Sequence, residues 1–373
     1  MSYFRLFLVR SICKWYEPKF IVSAFKKYFD AKFSDKLCSK ALFIRNFNLN
    51  TKLKHPLKFS GLWLGFFPFF FKKESDSGVP ENLLARAVYA VQENKLPEAF
   101  EYLNRILTKL ETQFTNEEIT SIEYESKKAR IYSEIANIYL LVRNLNKASD
   151  TIIETMKSCF AAGIGPSHPI IIELSLKLAL IYAEQEKYSD AIIGFKFTIE
   201  NCQNEMNKME LDEEEVKNLE GLLGMCYNYY SKFLYQIGKF QLALESASKA
   251  LELALKIYGR NHRNVVNLIN DQAVIHLALQ NHHVAQTKFQ EAIDICLACP
   301  EDEVVELLPH IYVNFGRSYI DIGDPMKAEE MCGNSRRYWK DLSKENGSYT
   351  ELESQIDDCF IKLAGLKSID RED

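Results

Sequence analysis

The chain lacks the short signatures by which enzymes are usually recognised. Its 373 residues hold no G-x-x-x-x-G-K-[ST] loop, no H-E-x-x-H and no G-x-S-x-G, so phosphate-cradling, zinc-hydrolase and serine-hydrolase readings lose their support. No segment alternates polar and apolar residues with period two over a useful length. That excludes a sheet-based domain and predicts an all-α fold. Cys296 and Cys299 form a C-x-x-C pair with no second pair at zinc-finger distance, a spacing that on a helix is simply one turn. The nine cysteines lie mostly inside apolar helical patterns and read as packing residues. No metal, cofactor or catalytic residue is expected. Acids are scarce at the start: residues 1–73 hold 15 Lys and Arg against Glu17, Asp30 and Asp35, a balance of +12, so residues 74–373 carry −17 of the total −5.

What is present is a spacing. Two small residues sit twelve positions apart six times, as Ala87/Ala99, Ala136/Ala148, Ala179/Ala191, Ser231/Ala243, Ala273/Ala285 and Gly316/Ala328. Small residues at that distance let the two helices of a helix-turn-helix unit approach closely while larger neighbours fill the groove. The second member recurs at intervals of 49, 43, 52, 42 and 43 residues, longer than the minimal period of about 34. Each unit therefore has long helices or an extended link. Short polar or Gly-containing bends, such as Gln236-Ile237-Gly238-Lys239, punctuate the pairs, and Pro166, Pro169 and Gly259 mark longer connections between them. These units resemble tetratricopeptide repeats. The expected fold is an all-α tetratricopeptide-repeat α-solenoid of about six helix pairs with long helices, preceded by a basic N-terminal extension. Such arrays present surfaces to other chains, so binding rather than catalysis is the default expectation. The long helices and the G…H connection also look like the repeats of kinesin light chains.

The expected domains are a basic mitochondrial transit segment over 1–58, an apolar membrane-anchor segment over 59–73, the repeat array over 80–345, and a capping helix with its tail over 346–373. In the first, basic residues are dispersed among Phe, Leu, Ile and Tyr, which is the texture of a transit sequence, with a retained membrane-surface helix as the alternative. The uncharged run Phe59 to Phe71 is thirteen residues long and as a helix reaches about 20 Å, short of the roughly 30 Å hydrocarbon core. Pro68 makes a straight span harder still. A tilted or dipping anchor and a hydrophobic extension packed on protein both fit. If it spans, the preceding basic excess places the N-terminus on the matrix side and the acidic repeats across the inner membrane. The stretch Glu351 to Leu366 reads as a final amphipathic helix.

Residues three before or one after the small packing position, one turn from each other, are expected to line a groove on the first helices of the pairs. They are Ser133 and Asn137, Asn228 and Lys232, Asn270, and Val313 and Arg317. An amide donates and accepts at once, so a row of Asn suits a peptide backbone, while Lys232 and Arg317 would attract carboxylates. Ordinary solvated positions are the alternative. Gly163-Ile164-Gly165 reads as a turn. His276, with His282 and His283 around a bend, reads as a packed histidine rather than a metal ligand. The acidic run Glu210 to Glu215 reads as a solvated helical overhang or a docking site for a basic partner.

The runs IIELSLKLALIYAEQ, YSDAIIGFKFTIE and EGLLGMCYNYYSKFLYQIGKFQLALESASKALELA, and the link GRNHRNVV, are more distinctive than a generic repeat. Over roughly residues 80 to 340 they resemble a mitochondrial family of tetratricopeptide repeat proteins. That resemblance implies an inner-membrane, non-enzymatic protein associated with respiratory complex III. It further implies a role in the assembly and maintenance of that complex, through clearance of fragments of its Rieske iron-sulfur subunit. Nucleic acid is not an expected partner. The competing expectation is a soluble scaffold or adaptor of the kinesin light chain type, binding peptide segments of other proteins. It would require no import sequence and should carry coiled-coil heptads, which residues 1–73 do not show.

Overall fold

The computed structural model describes residues 81–208, 211–298, 302–346 and 350–369. The expected transit and anchor segments, 1–58 and 59–73, lie outside the described residues. All regular structure among the described residues is helical. It falls into two compact units, 81–208 and 211–369. The first holds α1 (Glu81–Gln92), α2 (Leu96–Thr115), α3 (Ser121–Leu141), α4 (Leu145–Ala161), α5 (Pro169–Glu184) and α6 (Tyr188–Met206). The second holds α7 (Glu213–Gln236), α8 (Phe240–Tyr258), α9 (Arg263–Ala278), α10 (His282–Ala298), the single turn α11 (Asp302–Val305), α12 (Leu308–Asp321), α13 (Pro325–Asn346) and α14 (Thr350–Ile369). Within each unit the helices pack as successive pairs, α1/α2, α3/α4 and α5/α6, then α7/α8, α9/α10 and α12/α13, with α14 laid against the last pair.

One local rule builds every pair. The first helix ends on a residue with left-handed backbone: Asn94, Arg143, Glu186, Gly238, Gln280 or Gly323. The next amide reaches back to close a Schellman motif, as in Lys95 N to Ala90 O at 2.7 Å and Lys239 N to Leu234 O at 2.8 Å. Five residues beyond each left-handed position lies the small residue of the second helix, and Ala99, Ala148, Ala191, Ala243, Ala285 and Ala328 are all fully buried. Glycine fills only two of these six turns. At the other four a side chain tolerates a conformation that costs about 1–2 kcal/mol, because the tertiary packing on either side fixes the turn.

From each of those alanines the second helix buries positions +4, +7 and +11, the stripe of a 3.6-residue period. In α2 these are Leu103, Ile106 and Leu110, in α4 Ile152, Thr155 and Cys159, in α6 Phe195, Thr198 and Cys202. The stripe continues as Ala247, Ala250 and Ala254 in α8, Phe289, Ala292 and Cys296 in α10, and Cys332, Ser335 and Trp339 in α13. Small residues facing this stripe allow close approach: Ser231 donates through Oγ to the Ala243 carbonyl at 2.8 Å, and a Cβ on Gly194 would lie 2.7 Å from that of Ala179.

Polar residues start the helices. The acidic run before α7 is a cap: Asp212 accepts from Glu215 N at 2.8 Å while its own N–H donates to the Glu215 carboxylate at 3.1 Å. Glu213, Glu214 and Glu215 then occupy the first turn, where the helix dipole favours negative charge. Thr120 and Glu123 build the same box ahead of α3. The histidine of each G…H connection is a cap too. Neutral His168 Nδ1 accepts from Ile170 N, and His262 Nδ1 from Asn264 N, each at 3.2 Å.

His168 links stability to pH. The residue keeps an exposed surface, yet surrounding atoms desolvate the ring enough to lower its pKa, with Lys208 helping and Glu205 opposing. A histidine depressed in the folded state contributes stability above its unfolded pKa of about 6.5 and loses it as pH falls through the folded value. Acidification below about pH 6.5 should therefore progressively weaken the cap of α5. His168→Asn, which caps without titrating, should flatten that part of the pH dependence in hydrogen exchange of α5.

Candidate functional site

Each unit has its own candidate surface on the face of its first helices, α3 and α5 in the first unit and α7, α9 and α12 in the second. In the first unit Asn137 is half-buried and donates to the Glu134 carboxylate at 3.3 Å, while Ser133 is buried. Burial pushes the Glu134 carboxyl above the usual range, against the Asn137 hydrogen bond and the charge of Lys177. Lys177 is itself buried, and burial lowers its pKa, opposed by Glu173 at 2.9 Å and by Glu134. The face of α3 and α5 is thus a desolvated charge cluster with its own internal partners.

In the second unit the expected groove residues join neighbouring helices. Lys232 on α7 pairs with Asp271 on α9 at 3.3 Å, both side chains about 12% exposed. Asn270 on α9 accepts from Asn314 on α12 at 3.3 Å. Arg317 on α12 reaches α14, donating to Asp358 at 3.2 Å and to the Gln355 carbonyl at 3.4 Å. Asn228 is half-buried one turn before Lys232. Burial lowers the Arg317 pKa while Asp358 opposes it, and the Asp358 carboxyl, which partial burial would raise, is held low by Lys362 and Arg317.

These positions form a polar ladder whose rungs tie one first helix to the next. The picture of an open row of amides changes most at the end of the chain. Arg317 is 7% exposed and Val313 is fully buried, because α14 covers them through the cluster of Val313, Cys332, Trp339, Leu352, Ile356 and Cys359. A charge already matched by Asp358 offers little attraction to an incoming carboxylate. The ladder makes a prediction. Lys232→Met strands a desolvated Asp271 carboxylate and should cost about 2–3 kcal/mol, whereas Lys232→Met with Asp271→Leu should cost less. Urea unfolding of the single and double variants checks it.

Two of the cysteines do more than pack. Cys332 and Cys359 form a disulfide between α13 and α14, with Cα atoms 6.3 Å apart. A hint lay in the stripe, since Cys332 stands at the +4 position otherwise held by Leu103, Ile152, Phe195, Ala247 and Phe289. Cys159, Cys202, Cys226 and Cys296 are buried, and Cys299 lies outside the described residues. His276 is half-buried with its pKa lowered by burial, and His282 Nε2 lies 3.2 Å from Gln280 Oε1. Among the described residues no group of three or more His, Cys, Asp or Glu is placed to hold a metal ion, and no helix is long and apolar enough to cross a membrane.

Comparison with known proteins agrees with this architecture. A tetratricopeptide repeat family model matches residues 224–298, the region of α7 to α10. The chain is similar to "Tetratricopeptide repeat protein 19, mitochondrial" of Rattus norvegicus, 28% identical over 236 residues, 61% of this chain and 62% of that protein. The Homo sapiens protein of the same name is 27% identical over 235 residues, 61% of this chain and 60% of that protein. The chain therefore spans about three fifths of the length of these curated relatives. Its fold resembles the crystal structure of BtubC (BKLC) from P. vanneervenii, with TM-score 0.51 and 17% identity over 73% of this chain and 94% of that one.

Proposed function

We propose that the chain is a mitochondrial binding protein without a reaction centre, which attends respiratory complex III and supports its assembly and maintenance by helping to clear fragments of the Rieske subunit. The observation that carries this reading is the similarity to relatives named as mitochondrial, 28% and 27% identical across 61% of the chain. The helix pairs supply the means, since stacked pairs offer extended recognition surfaces. The apolar run 59–71 supplies a tether to the inner membrane, which raises the effective concentration of the repeats at a membrane-embedded partner. The basic excess of residues 1–73 favours a matrix-side N-terminus with the repeats in the intermembrane space. The Cys332–Cys359 disulfide supports that side, because such bonds persist in oxidising compartments.

The test is a deletion and rescue. Mitochondria lacking the chain should accumulate Rieske fragments on complex III. The full chain should clear them, and a variant without residues 59–71 but with a working import signal should clear them poorly. Absence of fragments in the deleted cells contradicts the reading.

A further inference from the structure

The last helix is joined to the array differently from those before it. At the preceding junction the +4 residue of the second helix, Phe289 on α10, packs on Phe315 of α12 with ring centroids 5.5 Å apart. At the terminal junction the same +4 position is Cys332, and its contact with α14 is the covalent bond to Cys359, 27 residues on. The separation from Phe289 to Phe315 is 26 residues, so α14 takes the place that the first helix of a further pair would hold. Three helices converge on the bond. A Cβ on Gly316 of α12 would lie 2.8 Å from Cys332 Sγ and 3.1 Å from Cys359 Sγ.

Apart from the bond, α14 is held by a narrow seam of buried Leu352, Ile356 and Leu363. Polar support comes from the partly buried Arg317–Asp358 pair, from Arg336–Asp357 and Lys367–Glu329 at the surface, and from Arg336 lying over the Phe360 ring at 3.9 Å. Surface pairs add little, so α14 is held chiefly by this seam and the bond. The cross-link adds a covalent restraint to that apolar seam.

We propose that the Cys332–Cys359 bond is a redox latch on the terminal helix: oxidised, it locks α14 over α12 and α13; reduced, it lets α14 lift and uncovers the face around Val313. Closing the latch takes two protons and two electrons from the two thiols and passes them to the disulfide of a thiol oxidase, which leaves as a dithiol. Opening is the reverse, with a dithiol reductant. One of its thiolates attacks a latch sulfur and forms a mixed disulfide, then its second thiol displaces the remaining cysteine, so the chain gains two thiols and the reductant becomes a disulfide. Both latch sulfurs are fully buried, so exchange waits on a local opening of α14. Burial pushes the Cys159 thiol up to about 11, which keeps it out of this exchange at neutral pH.

The experiment uses the full chain, refolded in a reduced and oxidised glutathione buffer and mapped under non-reducing conditions, then followed by hydrogen exchange with and without dithiothreitol. A cross-linked peptide pair containing Cys332 and Cys359 is expected. Reduction should speed exchange across α14 by roughly a hundredfold, the scale of a cross-link closing a loop of this size, while α3 stays unchanged. Cys332→Ala/Cys359→Ala should reproduce the reduced pattern without reductant and show no response to it. Two alkylated thiols at 332 and 359 after refolding, or α14 exchange that is equal before and after reduction, overturn the latch. If the double variant exchanges fast throughout, the reductant titration of the unaltered chain decides alone.

Discussion

Replacing Gly316 by leucine is expected to destabilise the second unit by about 3 kcal/mol or more and to prevent the Cys332–Cys359 bond. At an ordinary helical site glycine is a liability, and a larger helix former would gain about 1 kcal/mol. Here the sign reverses. The first added carbon would meet Cys332 Sγ at 2.8 Å and Cys359 Sγ at 3.1 Å, with the Cys332 backbone nitrogen at 3.3 Å. A side chain can turn away, but a backbone atom yields only if α13 shifts as a body, which is the usual origin of overpacking costs of 1–3 kcal/mol or more. Gly316→Ala should show a smaller loss, because its propensity gain offsets part of the overlap. The size of that loss should shrink when both cysteines are replaced by alanine, since the sulfurs are the nearest atoms. Denaturant unfolding of the four combinations reads this coupling directly.

Phe289→Ala should cost about 3–5 kcal/mol, the range for emptying a fully buried aromatic site. Phe289 is fully buried and packs on Phe315, which in turn stacks on Tyr319 at 4.9 Å. The consequence follows from the quasi-linear logic of repeats, in which stability is a sum of unit and neighbour terms. Removing the ring weakens the junction between α10 and α12, so exchange should rise in α12 to α14 more than in α7 and α8. Phe195→Ala, at the same stripe position of α6 and also fully buried, should instead act within the first unit. A uniform loss across both units for either variant would contradict the nearest-neighbour picture.

Much of this architecture is legible in the chain because a packing constraint repeats. The twelve-residue spacing from Ala179 to Ala191 requires a turn of fixed length, and every pair supplies one five residues before its second small residue. That three of the six turns place Arg143, Glu186 or Gln280 in left-handed backbone is not legible, since nothing local marks those residues for it, whereas Asn94 is of a type that favours it. The acidic run ahead of α7 reads as a solvated overhang, and residues 212–215 are exposed, but its like charges hid the capping box between Asp212 and Glu215. The face of the first helices was legible as a set of positions, though the partners of its residues were not. Asn270 lies three residues before its small packing residue and Lys232 and Arg317 one residue after theirs, where a neighbouring first helix lies as close as any ligand, and only the three-dimensional register reveals Asn314, Asp271 and Asp358 as their partners. Cys332 was hidden by its company, because cysteine in an apolar stripe packs like a small hydrophobe.

The ladder also bears on where recognition takes place. Side chains that bind one another across α7, α9, α12 and α14 stiffen the second unit, and a partner that used them would first have to break those bonds. Variants meant to weaken capture therefore need a fold control, since Lys232 and Arg317 tie neighbouring helices together.

The most direct measurement is native fractionation of gently solubilised mitochondria, with the chain and complex III followed together. Under the proposed function the chain comigrates with complex III at a size far above its own, and removing residues 59–71 while keeping import reduces the comigrating share. A chain found only as a free species, or outside mitochondria altogether, would contradict it.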